Sequence, residues 1–228
     1  MSNTQSKAQI YKIYINEAEV ILKSSEDLTI EDTKTSGSLV VKYTGNKKHL
    51  LDCIHMLEKS IKADKMIIHF EDFKVLKADF KSNFTEIEAG GGLVKNEMGE
   101  YLFIFRRGSW DLPKGKIESN ETRREATVRE INEETGLKKM TIIDKLMVTR
   151  HTYRSNIGKR LIKKSHWYLI EAKKQPLIPQ TGEDIDRAEW MTMERFFGKK
   201  RLVYPNILDV IHTQDIPGEK AKLIIKIK

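Results

Sequence analysis

The chain has 228 residues, of which 39% are hydrophobic and 32% are charged, a balance that is ordinary for a soluble globular protein. No run approaches the roughly 18 apolar residues of a membrane span, and the N-terminal residues lack the apolar stretch of a signal peptide. We therefore expect a cytoplasmic protein with no membrane partner. A single cysteine, Cys53, excludes an internal disulfide and a cysteine-rich zinc site.

The net charge of +8 is concentrated in the later part of the chain. Residues 1–85 carry 13 lysines and 12 acidic residues, which leaves 28 basic and 21 acidic residues for the remainder. All 11 arginines lie beyond residue 105. Because arginine is the better bidentate phosphate ligand, this asymmetry indicates two units with different roles, the second suited to polyanions. A surplus that serves only solubility is an equally weighted alternative.

Hydrophobic periodicity predicts a small α+β domain over residues 1–83. The segment has no glycine-rich loop and no metal-ligand cluster, so its role cannot be inferred from its residues. Partner docking or dimerisation is the default expectation. The predicted elements are strands at 10–22, 38–43 and 65–70, and helices at 48–61 and 71–80.

A change of pattern at residues 81–83 marks the start of a second domain, which opens with a glycine-rich strand. A helix at 121–135 follows the loop 106–120, with Asn120 as its predicted N-cap and Gly136 as a left-handed residue at its C-terminus. The other predicted elements are strands at 85–94, 101–105, 141–152, 160–172 and 188–191, and helices at 193–197 and 206–213.

Three glutamates of that helix share one face. Glu130, Glu133 and Glu134 have the spacing i, i+3, i+4, so their carboxylates repel one another unless a cation lies between them. Mg²⁺ prefers such oxygen ligands and is usually shared between a few carboxylates and substrate phosphates. The spacing therefore predicts a metal site and phosphate chemistry.

The segment 115–137 resembles the Nudix box, G-x₅-E-x₇-R-E-U-x-E-E-x-G-U, where U is a bulky aliphatic residue. The constrained positions are all filled, by Gly115, Glu121, Arg129, Glu130, Ile131, Glu133, Glu134, Gly136 and Leu137. We extend the resemblance to residues 84–215, which leaves 216–228 as a basic C-terminal tail. It implies an α/β fold, the Nudix α/β/α sandwich with a mixed sheet, preceded by the small α+β domain.

The resemblance also implies a cofactor and a reaction. Enzymes of this family use Mg²⁺ or Mn²⁺ to hydrolyse a nucleoside diphosphate linked to another moiety, with water attacking phosphorus. By motif position, the implied metal ligands are Glu130, Glu133 and Glu134, with the carbonyl of Gly115 as an additional ligand.

Catalytic roles follow from the same motif positions. Arg129 is expected to orient a carboxylate through a charge-assisted pair. The general base is Glu130 or Glu134, or else Glu183, which lies about where some family members place a glutamate outside the box. A solvated acidic loop is the alternative interpretation of Glu183.

Cationic and aromatic residues around the box are candidate substrate contacts. Of the adjacent Arg106 and Arg107, one must point away from the site. Trp110 could either pack in the core or stack on a base. Lys114 could either bind a polyphosphate or be an ordinary surface lysine. Trp-x-x-Pro-Lys-Gly resembles dinucleoside polyphosphate hydrolases, nucleotide-sanitising enzymes and the mRNA-decapping branch. The full set of candidates is Arg106, Arg107, Trp110, Lys114, Lys116 and Lys164.

We therefore expect a Mg²⁺-dependent, MutT-like pyrophosphohydrolase whose substrate is a nucleotide or another diphosphate-containing small molecule. Dinucleoside polyphosphates are placed ahead of modified nucleoside triphosphates. One alternative is a non-catalytic ligand-sensing or interaction protein that keeps the Nudix fold. Another is an RNA 5′-end pyrophosphohydrolase, which is not favoured because no separate RNA-binding motif is present. The sequence leaves open whether the chain forms a homodimer.

Overall fold

A computed structural model describes residues 9–34, 36–59 and 63–214. The predicted tail at 216–228 lies outside the described residues. In the described ranges, no helix is both long enough and apolar enough to cross a membrane. Contacts along the chain define two compact units, unit 1 with residues 1–86 and 150–162, and unit 2 with residues 87–149 and 163–228. The domain boundary at residue 83 stays a prediction.

Unit 1 combines a mixed sheet with short helices. The strands are ordered β1-β2-β4-β3, with an antiparallel β1–β2 pair and parallel β2–β4 and β3–β4 pairs. Tyr14 also pairs in parallel with His151, which returns to this unit from later in the chain. The elements are β1 (Tyr11–Ile15), β2 (Ala18–Ser24), α1 (Ile30–Lys34), β3 (Ser38–Lys42), α2 (Lys47–Glu58), β4 (Lys65–Phe70) and α3 (Phe73–Lys81).

The single strand predicted at 10–22 is wrong, because the chain reverses direction inside it. Asn16 and Glu17 both have positive φ, 49° and 71°, and connect β1 to β2 in a tight hairpin. Two-residue hairpins need positive φ at their central residues, and Asn-Gly is the usual sequence for them. Glutamate in the glycine position hides this turn from sequence inspection.

Long-range ion pairs hold the two chain segments of unit 1 together. Glu58, at the end of α2, accepts hydrogen bonds from Arg154 at 2.7 Å and from Arg160 at 2.8 Å. Ile162 is fully buried in the same core as the residues of β1 and β2. Residues 150–162 therefore belong to the unit by both packing and charge.

Unit 2 contains a larger sheet whose strands are ordered β11-β6-β5-β10-β9, with β7 paired to β6 and β8 paired to β5. The loop predicted at 106–120 thus includes two short strands that periodicity did not reveal. The elements are β5 (Thr85–Lys95), β6 (Tyr101–Arg106), β7 (Ser109–Asp111), β8 (Lys114–Lys116), α4 (Arg123–Thr135), β9 (Met140–Arg154), β10 (Arg160–Ala172), β11 (Ile185–Met191), α5 (Met193–Phe197) and α6 (Pro205–Ile211).

Neighbouring residues of these strands serve opposite faces of the sheet, as the two-residue period of a strand requires. Val94, Leu102 and Tyr168 pack with Ile131 of α4 on one face. The preceding or following residues of the same strands pack on the other face with residues of α5 and α6. Helices therefore cover both faces, and the predicted α/β sandwich with a mixed sheet is confirmed.

The glycine-rich part of β5 allows α4 and β8 to approach the sheet closely. A Cβ at Gly90 would lie 2.9 Å from the carbonyl oxygen of Arg123, and one at Gly91 would lie 2.9 Å from that of Pro113. Both neighbours are backbone atoms, which cannot move aside as a flexible side chain can. The glycines therefore fix the distance between the sheet and the helix that carries the box.

Helix α4 is closed at both ends by local hydrogen bonds. Its N-cap is Thr122, which forms a capping box with Glu125, so the N-cap predicted at Asn120 is wrong. The predicted left-handed residue is confirmed, because Gly136 has φ 68° and its N–H bonds to the carbonyl of Asn132. The helix therefore begins at Arg123 and not at residue 121. The Thr122 side chain accepts the otherwise free N–H of Glu125, and the Glu125 side chain accepts the N–H of Thr122.

Candidate active site

Glu134, on the last turn of α4, is the most deeply buried acid of the site. Its side chain has 0% exposure. Oε2 accepts a hydrogen bond from the backbone N–H of Lys114 at 2.8 Å, while Oε1 has no hydrogen bond and lies 3.5 Å from Nη1 of Arg106. Burial raises the pKa of Glu134 to about 7, although the nearby Lys114 charge opposes the shift. A cation beside Oε1 would favour the ionised carboxylate.

Glu130 lies one turn earlier on the same helix, directly against Gly115. A Cβ at position 115 would overlap the carboxylate of Glu130, so a side chain there would displace that carboxylate. Burial raises the pKa of Glu130, and the charges of Glu133 and Glu183 act in the same direction, while Arg129 opposes them. The box glycine thus makes room for a buried carboxylate, and this burial makes the carboxylate hold its proton more tightly.

Arg129 connects four parts of the box. Its guanidinium donates to Glu121, to Glu130 at 3.0 Å and to Glu133 at 2.8 Å, and also to the backbone carbonyl of Lys116 at 2.9 Å. The planar, five-donor guanidinium suits such a set of acceptors better than an ammonium group would. Arg129 therefore holds three carboxylates of the box together, and its role relative to substrate stays a prediction.

The donor set fits a hard divalent cation, although the carboxylates are not assembled around a ready-made centre. In the part of the chain that the structure describes, no three histidine, cysteine or acidic side chains converge as a metal-binding group. Glu130 and Glu133 are both turned toward Arg129. The unbonded, buried Oε1 of Glu134 is the feature that a cation would satisfy, because a buried acceptor without a partner is costly.

The two adjacent arginines point to different places, because Arg106 ends β6 and Arg107 begins the turn that follows it. Arg106 faces Glu134, and 19% of its side chain is exposed. Arg107 has φ 50° at the start of a turn and forms an exposed ion pair with Asp184 at 2.9 Å. Of these two candidate substrate contacts, the structure brings only Arg106 to the glutamates.

Two other candidate substrate contacts, Trp110 and Lys114, are buried in the protein. Trp110 is only 6% exposed and packs edge-on against Phe105 and Phe196, so core packing is the outcome for this side chain. Lys114 is also 6% exposed, and its ammonium forms a buried ion pair with Asp111. Neither side chain is presented to a substrate in this arrangement, and both instead shape the loop that holds Glu134.

Strand β10 brings a different lysine to the site from the one that the sequence suggested. Lys164 pairs with Glu88 at 2.7 Å. Its neighbour Lys163 lies within electrostatic range of Arg106 and Glu134, and burial lowers the pKa of Lys163 to about 8. The sequence shows adjacent lysines but not which one faces the glutamates, so Lys163 was missed.

The remaining candidates lie at the edge of the site. Lys116 has an exposed side chain, and it contributes its carbonyl oxygen to Arg129. Glu183 ends a short 3₁₀ turn whose preceding residue, Gln180, donates its N–H to the carbonyl of Glu134 at 3.1 Å. This bond ties the Glu183 turn to the end of α4, and the charge of Glu183 reaches Glu130.

Comparison with known proteins adds a family assignment to this geometry. The family model described as NUDIX domain matches residues 88–212. An RNA pyrophosphohydrolase of a Shewanella species is 27% identical over 159 residues, which cover 58% of this chain and 91% of that protein. An RNA pyrophosphohydrolase of Stutzerimonas stutzeri is 32% identical over 119 residues, covering 50% of this chain and 74% of that protein. The crystal structure of a MutT NUDIX hydrolase from Burkholderia pseudomallei is 20% identical, with a TM-score of 0.46, and covers 57% of this chain and 99% of that one.

Proposed function

Because the chain belongs to the NUDIX family, whose model matches residues 88–212 of 228, we propose that it is a Mg²⁺- or Mn²⁺-dependent pyrophosphohydrolase of RNA 5′ ends. It is a hydrolase that acts on phosphoanhydride bonds. The metal and the RNA substrate are the parts that we propose. The cytoplasmic location and a homodimer stay predictions.

One observation carries the proposal, namely the buried carboxylate of Glu134 with one oxygen bonded and the other unbonded. Oε2 is fixed by the N–H of Lys114, while Oε1 has no hydrogen bond and faces Arg106. A purely structural carboxylate at this depth would have partners for both oxygens. The free oxygen beside an arginine suits a site where a cation and a phosphoryl group meet.

We assign the metal ligands to Glu130, Glu133 and Glu134, with the Gly115 carbonyl as a further oxygen. A bound divalent cation supplies positive charge to the phosphoryl oxygens and makes a water molecule more acidic. Because Glu130 and Glu133 share Arg129, the guanidinium keeps both carboxylates near the site before the cation arrives.

Hydrolysis forms a bond from water oxygen to phosphorus and breaks one phosphoanhydride bond, so a proton must leave the water. We assign the acceptor of this proton to Glu130, Glu134 or Glu183. The position of Arg106 beside Glu134 supports assigning it to a phosphoryl oxygen, and Lys163 would add a second positive charge. The site thus offers acceptors for a proton and cations for the anionic substrate.

RNA is placed ahead of dinucleoside polyphosphates for two reasons. Both relatives described above are named RNA pyrophosphohydrolases, and the match to one of them covers 91% of that protein's length. The sequence argument for a long free polyphosphate depended on the charge of Lys114. That charge is buried in an ion pair with Asp111, so it does not support polyphosphate binding.

The test is Mg²⁺-dependent release of phosphate or pyrophosphate from 5′-triphosphate RNA, with diadenosine polyphosphates and nucleoside triphosphates as competing substrates. We expect RNA turnover by the wild type and its loss in Glu134→Gln. Glu171→Gln is the matched control, because Glu171 is an exposed glutamate on β10 outside the box. Turnover that survives Glu134→Gln, or that is confined to mononucleotides and dinucleotides, would contradict the proposal.

A further inference from the structure

Two arginines of unit 2, Arg187 and Arg201, lie over aromatic rings that the reaction does not use. The Cζ atom of Arg187 lies 4.4 Å from the ring centre of Phe105 and 5.0 Å from that of Trp110. Arg201 lies 5.5 Å from the ring centre of Trp110 and 5.4 Å from that of Phe196. Stacking on a ring occupies the face of a guanidinium and leaves its N–H donors at the edge.

The positive charges here are only partly neutralised. Arg187 and Arg195 share a single carboxylate, Glu189, at 3.5 and 3.6 Å. Their side chains are 52% and 61% exposed, so these contacts are weak surface pairs. Burial lowers the pKa of Arg201, and the nearby charges of Arg195 and Arg187 lower it further, whereas Glu189 opposes them. The cluster therefore has spare positive charge.

The sequence around the cluster extends this positive surface. Residues 187–201 contain five basic residues and two acidic ones, which gives a net charge of 5 − 2 = +3. Lys199 and Lys200 are exposed beside Arg201. Glu194 is the second acid and is exposed on α5. We name the side chains of Arg187, Arg195 and Arg201 the arginine surface.

Arg201 fixes the arginine surface in place. Its Nη1 donates to the backbone carbonyls of Arg195 at 3.1 Å and Phe196 at 2.7 Å, which lie in α5. The adjacent residue 202 accepts the backbone N–H of Trp110 at 2.8 Å. The rings and the guanidinium groups are thus attached to one rigid framework instead of to a loop of their own.

The same framework leads directly to the glutamates. Trp110, under the arginine surface, is four residues from Lys114, whose N–H holds Glu134. Four residues span at most about 14 Å even when fully extended. In the sheet, Arg187 pairs with Phe105, the residue next to Arg106. The side chains of Phe105 and Arg106 leave β6 on opposite faces, so a polyanion whose end lies at Arg106 and Glu134 would reach the arginine surface around the end of this strand.

We propose that the arginine surface binds the phosphodiester backbone of the RNA that follows the 5′ end held at the glutamates. This inference rests on the proposed function. Arginine edges pair with the phosphate oxygens of single-stranded nucleic acid without requiring a base sequence, and the rings beneath Arg187 and Arg201 hold these guanidinium groups in position. A mononucleotide would not reach the surface, so it contributes to longer substrates only.

The test substitutes the two exposed members, Arg187→Gln with Arg195→Gln, and leaves Arg201 intact because it holds backbone carbonyls of α5. We expect affinity for a ~12-nucleotide 5′-triphosphate RNA to fall on the order of tenfold. The slope of log affinity against log salt should lose about 1.4, because each single-strand phosphate contact contributes about 0.7. Turnover of a triphosphorylated dinucleotide should stay within about twofold.

Lys138→Gln with Lys145→Gln is the matched control, since both lysines are exposed, lie elsewhere in unit 2 and remove the same charge. Arg187→Lys with Arg195→Lys keeps the charge and should retain most of the salt slope. Thermal unfolding of every variant checks the fold. An equal loss of RNA affinity in the control pair, or an unchanged salt slope in the glutamine pair, would overturn the assignment.

Binding is measured by fluorescence anisotropy in the Glu134→Gln background as well as in the wild type, so it does not depend on turnover. If the wild type hydrolyses no RNA but binds the longer strand through the arginine surface, the proposed function fails and this inference survives. If RNA is hydrolysed with the same length and salt dependence in the glutamine pair, the inference fails and the proposed function survives.

Discussion

Gly115 shows how one residue without a side chain determines the position of a charged one. Because a methyl group there would overlap the Glu130 carboxylate, Gly115→Ala must displace Glu130 or β8. We expect kcat/KM to fall about 100-fold, the usual effect of moving a catalytic group by roughly 1 Å, while the thermal unfolding midpoint changes little. Gly182→Ala is the control, since a Cβ there meets nothing within 4 Å and its φ is ordinary. Equal activity in the two variants would contradict this role.

Arg129 offers a second test at the same scale. Arg129→Lys keeps the charge but cannot bond Glu121, Glu130 and Glu133 together, because an ammonium group lacks the planar fork. We expect the apparent affinity for Mg²⁺ to fall about 10- to 100-fold, the range seen when a residue that orients metal ligands is changed. A Mg²⁺ titration of activity measures it. If excess Mg²⁺ does not restore the rate, Arg129 acts on substrate instead.

The sequence could not show which cationic side chains point toward the glutamates. Lys163 and Lys164 are neighbours in a strand and so face opposite sides, whereas Arg106 ends β6 and Arg107 already lies in the following turn. The motif located the glutamates and their arginine because helix spacing alone places them on one face. Selecting Arg106 and Lys163 required the pairing of the strands, which depends on residues far away in the chain.

At the scale of elements, the capping box decides where α4 begins. Thr122→Ala removes the side-chain acceptor for the N–H of Glu125 and leaves one helical donor without a partner. We expect a loss of about 1 kcal/mol in the free energy of unfolding, measured by urea denaturation. Thr122→Ser, which keeps the hydroxyl, should recover most of it. A serine variant as unstable as the alanine variant would show that the methyl group matters more than the cap.

The buried ion pair between β7 and β8 makes a larger contribution to the same loop. Lys114→Met leaves the Asp111 carboxylate buried without its partner, and we expect it to cost about 3 to 5 kcal/mol in the free energy of unfolding. Adding Asp111→Asn removes the stranded charge but keeps an oxygen for the N–H of Leu112. The double variant should therefore be more stable than Lys114→Met alone. If the double variant loses the sum of the unfolding free energies lost by the two single variants, Lys114 and Asp111 are not coupled.

Element prediction succeeded where one periodicity ran without interruption. The strands at 65–70 and 160–172 and the helix at 193–197 begin and end where the sequence indicated. It failed at the hairpin of Asn16 and Glu17, whose turn lacks glycine, and at β7 and β8, which are three residues long. Strands that short have no measurable period and exist because β5 and β6 pair with them.

At the scale of the whole molecule, the ion pairs of Glu58 make the closure of unit 1 sensitive to acid. Burial opposes ionisation of Glu58, but hydrogen bonds from Arg160 and Arg154 outweigh it and lower its pKa. A depressed folded pKa adds stability above the unfolded value of about 4.3, and that stability is lost as the pH falls through the folded pKa. The stability gap between wild type and Glu58→Gln should therefore be full near neutral pH and narrow below about pH 4. A gap that persists unchanged into acid would contradict this.

The motif and the fold of unit 2 could be recognised from sequence because their residues are close along the chain. The composition of unit 1 could not be recognised in the same way, since residues 150–162 rejoin it after 63 residues of the other unit, 87–149. Hydrophobic periodicity describes neighbours in sequence, and it carries no information about which distant segment returns. The position of the arginine surface was hidden for the same reason, because Arg187 and Arg201 meet the distant rings of Phe105 and Trp110 only after β11 has paired with β6.

This interleaving has a consequence for the newly made chain. When the ribosome has finished residue 86, the first unit still lacks His151, which is the parallel strand partner of Tyr14. It also lacks the buried Ile162 and both arginines of Glu58. The 162 − 86 = 76 residues that complete it take about 4 to 15 s to synthesise at bacterial or eukaryotic elongation rates. During that interval the unfinished sheet exposes apolar surface of the kind that chaperones bind. We therefore expect a translational pause after residue 162 to favour folding of unit 1 more than one at residue 86.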